Sequence, residues 1–302
     1  MTISLPRLPR PDVLGDLCRE AAARQRVPAA SLEKDLYLTR LLWALGDRFG
    51  DGLLLKGGTC LMKVDVGFRR MSEDIDLVIP WSGSLNYKGT NASYTNRIRD
   101  ALRELGPIVG VQLETPDGQA WVKRSHVRWT VHYPSEFGRT YPGQPQPTAT
   151  IDVEVAMRPV MLPVRRAALQ TVLSDKVVGD YSSASCFALD FAEVRAEKVR
   201  AAFTREEPQI RDYFDLGLLL ECGADMDSQE FVDLVDLKLA EIGERDLAHQ
   251  PARFGLVGAR LRSVERARAK ALEAVVRLDE PPFDLEQLII VYDERWSGVR
   301  QP

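Results

Sequence analysis

Apolar residues in this chain recur first at helical spacing, then at strand spacing, then at helical spacing again. Leu14, Leu17, Cys18, Ala21 and Ala22 predict a helix from Pro11, after a proline-rich segment, 1–11, that reads as a poorly ordered lead-in. Ser31 offers a cap for a second helix carrying Leu36, Leu38, Leu41, Leu42 and Leu45, with Lys34 and Asp35 on its exposed face. Leu53–Leu55 and Leu77–Ile79 are short apolar runs of strand type. Asn91 opens a further helix with Ile98, Leu102 and Leu105 inward, stopped by Gly106-Pro107. Residues 107–113, 120–133 and 148–156 read as strands, and 134–147 as a proline/glycine loop.

From about residue 185 the pattern is helical throughout. Asp190 to Glu193 fits a capping box for a helix over 192–203, and Ile210–Leu220 follows as the next. Asp227 to Glu230 starts another, with Phe231, Leu234, Val235, Leu237 and Leu239. A helix near 257–277 carries Leu261, Val264, Leu272 and Val275 against Arg262, Arg266 and Lys270. No internal repeat is present. With 302 residues, more than one lobe is expected, divided at 1–180 and 181–302.

Charge and cysteine usage narrow the class. The net charge of −4 gives no overall pull toward nucleic acid, so such contacts must come from local patches. Two patches qualify: Lys123, Arg124 and Arg128 interleaved with Trp121 and Trp129, and the Arg262, Arg266, Lys270 stripe. The first also reads as the wet face of an antiparallel strand, and the second as a solvated helix face. The four cysteines are scattered and only three histidines occur, which argues against zinc or a disulfide framework. No apolar run reaches the length of a membrane span, and the start lacks a signal-peptide core, so the expected location is cytoplasmic.

The chemistry concentrates between Leu53 and Ile79. An apolar run ends in Lys56-Gly57-Gly58-Thr59, and Asp74-Ile75-Asp76 opens the next. Strand alternation sends Asp74 and Asp76 to one face, where two close carboxylates call for cations; Mg²⁺ prefers such oxygen ligands. Glycines after a strand let backbone N–H groups approach phosphate oxygens. The two together read as a nucleoside triphosphate and Mg²⁺ site.

KGGTCLMK followed by RMSEDIDL resembles the AbiEii/AbiGii toxin family, which includes MenT-type toxins, within the DNA-polymerase-β-like nucleotidyltransferases. Fifteen residues lie between Gly58 and Asp74, a longer spacer than is usual in that superfamily. A second match is AEKVRA followed by RDYFDL, and SLEKDLYL is similar to the family's EKDxxL helix. The resemblance implies an α+β, bi-lobed nucleotidyltransferase fold, with a mixed sheet and flanking helices in the first lobe and a helical second lobe. It implies a two-metal Mg²⁺ site on Asp74, Asp76 and a third carboxylate, Asp152 with Glu154 in reserve. Lys56, Gly57, Gly58, Thr59, Ser72, Lys198 and Arg211 would bind the nucleoside triphosphate, with Lys198 and its acidic partner Asp212 facing the three carboxylates across a cleft. It further implies a toxin of a toxin–antitoxin pair that adds nucleotides to the 3′ acceptor end of tRNA, with a cognate antitoxin and phosphorylation at Ser72. Transfer to a protein or small-molecule hydroxyl, or a non-catalytic binding lobe, are the alternatives.

Overall fold

The structure, a computed structural model, describes residues 4–81, 87–114, 121–123, 126–140, 146–173, 179–205, 209–241, 287–288 and 290–291. For 87–92, 121–123 and 203 it describes the backbone alone. The chain divides into two compact units, Met1–Leu189 and Asp190–Pro302.

The first unit is a mixed sheet with helices. Among the described residues the sheet has eight strands: β1 (Leu54–Leu55), β2 (Asp74–Pro80), β3 (Gln112–Leu113), β4 (Trp121–Lys123), β5 (His126–Arg139), β6 (Thr148–Arg158), β7 (Arg165–Ala168) and β8 (Ser185–Ala188). They lie in the order β3-β5-β6-β2-β1-β8-β7, with β4 also on β5. β2 and β6 run parallel, and so do β1 and β8; the other pairs are antiparallel. Burial alternates along β2, β5 and β6, so one sheet face is core and the other is half-exposed.

Helix α1 (Pro11–Gln25) packs on α2 (Ala29–Phe49), and α2 packs on β5, β8 and α4 (Tyr87–Val109). Being enclosed on several sides, α2 buries Glu33, Asp35 and Arg40 as well as its leucines. This corrects the expected exposed face at Asp35. Lys63 Nζ lies 2.5 Å from Asp35 Oδ1, and Val172 N–H donates to Asp35 Oδ2 at 3.3 Å. Ser135 Oγ donates to Glu33.

Several element ends differ from expectation. α2 starts at Ala29, because the extended Pro28 leads in and its carbonyl accepts from Ser31 and Leu32. α4 starts at Tyr87 and runs through Pro107, since the N–H groups of Gly110 and Val111 both close on the Gly106 carbonyl. It stops at Gly110, where φ is +91°. The 120–133 strand is two strands paired from Trp121↔Arg128 to Lys123↔His126. β5 then continues to Arg139 through a register irregularity, so residues 134–139 of the expected loop are strand. The lead-in is held as well: Arg40 donates to the carbonyls of Pro6, Ile108 and Val109 and to Tyr181 Oη.

The second unit contains α5 (Phe191–Thr204), α6 (Ile210–Glu221) and α7 (Gln229–Ala240). Asp190 caps α5 by accepting from the Ala192 N–H at 2.8 Å. α7 is capped one residue later than expected, by Ser228, because Asp225 accepts from Ser228 and Asp227 and forms the turn before it. The expected helix near 257–277 lies outside the described residues.

Candidate active site

After β1 the chain turns at Lys56 into a single helical turn, α3 (Gly57–Cys60), which continues as a π-helical turn over Leu61–Asp65. Gly57 has φ +67°, and a Cβ built there would lie 2.4 Å from Asp76 Oδ2. The first glycine is therefore required by the carboxylate beside it as well as by its backbone angle. Lys56 meets the same residue twice: its N–H donates to the Asp76 carbonyl at 3.0 Å, and its Nζ is 3.9 Å from Asp76 Oδ1. Gly58 and Thr59 are buried. Thr59 Oγ1 donates to the Asp74 carbonyl and lies 2.6 Å from Ser72 Oγ, which is 3.4 Å from that carbonyl. Turn and strand are thus stitched together through two hydroxyls.

The parallel pairing of β2 with β6 sets Asp74 against Asp152 and Asp76 against Glu154. In-register neighbours share a face, so four half-buried carboxylates form a two-by-two array on the side away from the core. β5 adds Thr130 opposite Asp152 and Arg128 opposite Glu154. Thr130 Oγ1 donates to Asp152 Oδ1 at 2.6 Å. Arg128 Nη1 lies 3.7 Å from Asp152 Oδ2 and 3.8 Å from Glu154 Oε1. Burial, followed by the charge of Asp76, raises the Glu154 carboxyl above its usual range, against the opposing pull of Lys56 and Arg128.

Among the described residues no three His, Cys, Asp or Glu side chains converge as a metal cluster. The donor set nevertheless fits a hard cation. All four groups are carboxylates, the oxygen donors that a hard divalent cation takes, and after burial the charge of Asp76 adds to the rise at Glu154.

The second motif forms a separate cluster within the second unit. Lys198 on α5 places Nζ 3.0 Å from Asp212 Oδ1 and 2.7 Å from Asp215 Oδ2, both on α6. Arg205 Nε lies 2.9 Å from Asp212 Oδ2. Lys198, Asp212 and Asp215 are all buried, and Arg211 is half-buried at the start of α6. Beside them Lys238 of α7 joins Glu193 at 2.5 Å and Glu197 at 3.4 Å. The i,i+3 spacing of Asp212 and Asp215 puts both on one helix face, as the sequence predicts, whereas Arg205 is a partner that residue types alone did not single out.

Of the expected nucleic-acid contacts, Arg128 faces carboxylates, and Trp129 is 5% exposed on the core face, which removes it from base stacking. Lys123 belongs to β4, but its side chain lies outside the described residues, as do Arg124, Arg262, Arg266 and Lys270 entirely. Among the described residues no helix is long and apolar enough to cross a membrane.

No curated protein matches this chain. Among solved structures, the CdnC:HORMA-deltaN complex of E. coli MS115-1 is similar at 14% identity over 94% of this chain and 90% of that one, with a TM-score of 0.29. That likeness is too slight to bear on function. The family described as "Nucleotidyl transferase AbiEii toxin, Type IV TA system" matches residues 40–291, which take in the glycine turn, the carboxylate array and the Lys198 cluster. The chain belongs to the AbiEii nucleotidyl transferase toxin family.

Proposed function

We propose that this chain is an Mg²⁺-dependent toxin that transfers a nucleoside monophosphate from a nucleoside triphosphate to the 3′ acceptor end of tRNA, and so blocks translation. The observation that carries the reading is the carboxylate array, Asp74 and Asp76 in register with Asp152 and Glu154, beside the Lys56–Thr59 turn.

In this reading Asp74, Asp76 and Asp152 would hold Mg²⁺, which would supply charge stabilisation for the transfer. Lys56, Gly57, Gly58 and Thr59 position the triphosphate. The 3′-hydroxyl oxygen of the acceptor bonds to the α-phosphorus, its proton passes to Asp152, and the bond to the β-phosphate oxygen breaks to release pyrophosphate. Glu154 is the reserve for that role, since burial and Asp76 raise the proton affinity of its carboxylate. Lys198, oriented by Asp212 and Asp215, is assigned to the triphosphate with Arg211 as its neighbour. A cognate antitoxin partner follows from the family's toxin–antitoxin description. A phosphate on Ser72, hydrogen-bonded to Thr59, would bring negative charge against the triphosphate and Asp74. Ser72→Asp should then abolish transfer, and full activity in that variant would remove the regulatory role.

The deciding experiment incubates the full chain with total tRNA, Mg²⁺ and each labelled triphosphate in turn. Label at the tRNA 3′ end, lost in Asp76→Ala, is the expected result. Label in protein, or none in any fraction, overturns the tRNA assignment.

A further inference from the structure

A cavity of about 380 Å³ opens beside the carboxylate array and is lined by Lys34, Ser72, Phe137, Arg139, Thr148 and Thr150, among others. Its volume falls near the lower end of the roughly 300–1,000 Å³ of small-molecule sites, room for about one nucleotide. Two features give it chemical character. First, the side chains of Lys34 and Arg139 have no hydrogen-bond or ion-pair partner among the described residues, whereas those flanking Lys34 are committed inward, Glu33 to Ser135 and Asp35 to Lys63. Two such cations lining the cavity, against the single acidic lining residue Glu73, favour a phosphate. Second, the cavity shares its wall with the reaction site. Thr150 precedes Asp152 by two strand residues, a distance of about 7 Å, and Ser72 precedes Asp74 by the same count. Phe137 adds an apolar ring to the lining.

We infer that this cavity is the subsite for a terminal nucleotide of the acceptor strand, with its phosphate on Lys34 and Arg139 and its ribose hydroxyl directed toward Asp152. The inference rests on the nucleotidyl-transfer reading for the position of the reacting atoms, but not for the binding itself. A phosphate here could come from the acceptor RNA or from the free triphosphate. The Lys56–Thr59 turn provides for the second, and none of its residues lines the cavity, so the cavity is assigned to the first.

The test measures equilibrium binding of a 5′-fluorescein-labelled CCA trinucleotide to the full chain, beside binding of a fluorescent ATP analogue. In Lys34→Ala/Arg139→Ala the trinucleotide should bind about tenfold more weakly or worse. The slope of log Kd against log salt should fall by about 0.7, for the one lost phosphate contact on a single strand. Triphosphate affinity and the thermal midpoint should stay at wild-type values. Lys34→Arg should restore binding if charge is what matters. Unchanged trinucleotide affinity overturns the subsite, and so does an equal loss for the triphosphate, which would make the cavity the donor's. If wild-type chain binds the trinucleotide through these two cations yet transfers nothing to tRNA, the subsite stands and the transfer reading falls. If transfer occurs with the trinucleotide unbound, the reverse holds.

Discussion

Arg128 is the residue whose environment says most about the site. Its guanidinium lies within 4 Å of both Asp152 and Glu154, so it offers these carboxylates the positive charge that a bound cation would otherwise supply. These pairs are partly exposed, so each is worth at most about 1 kcal/mol after screening. Removing the guanidinium should therefore strengthen divalent-cation binding by a modest factor. In Arg128→Ala we expect Mn²⁺ affinity, followed by electron paramagnetic resonance of the free ion, to rise about two- to fivefold; a fall would mean that Arg128 assists the metal. Gly57 makes a sharper prediction at the same scale. Gly57→Ala meets Asp76 Oδ2 at 2.4 Å and holds a left-handed backbone that costs a non-glycine residue about 1–2 kcal/mol. It should lose transfer activity by at least about a hundredfold, in line with misplacement of a catalytic group, while the chain remains folded by circular dichroism.

Between elements, the buried ion pairs behave differently from surface ones. Asp35 of α2 and Lys63 of the π-helical turn are almost fully enclosed, and burial lowers the Lys63 amine below its usual range while Asp35 pulls it back up. Lys63→Met alone leaves Asp35 a buried charge and should cost about 3–5 kcal/mol in urea unfolding, whereas Asp35→Leu/Lys63→Met should recover most of that loss. A double variant as unstable as the single one would show that Asp35 is held by Val172 rather than by Lys63. The same logic separates two roles for Lys198. If it serves only to join α5 to α6, Lys198→Met/Asp212→Leu/Asp215→Leu should be stable and should retain triphosphate affinity. Under the proposed function that variant is stable and loses triphosphate affinity.

At the scale of the whole molecule, stability should depend on pH through Glu33. Burial raises its carboxyl above the ordinary value, with Ser135 and the Glu136 N–H opposing. A carboxyl raised on folding favours the protonated native state. Its contribution is present below the unfolded value, near 4.5, and is lost as pH rises through the folded one. Glu33→Gln should thus raise the Tm relative to wild type at pH 8 and have little effect at pH 4, as read by thermal melts at both.

What the sequence determined by itself was everything that depends on short-range spacing. Strand alternation put Asp74 and Asp76 on one face, the capping pattern placed Asp190, and i,i+3 spacing aligned Asp212 with Asp215. These follow from bond geometry that every helix or strand shares. Tertiary structure alone decided which elements became neighbours. It set β6 in parallel register with β2, so that Asp152 and Glu154 face the DxD pair, and brought Arg128 over them from β5. It enclosed α2 so fully that Asp35, expected on a wet face, became buried, and it carried β5 past Pro134. Pairing and enclosure arise from contacts between residues far apart in the chain, and local periodicity carries no record of them.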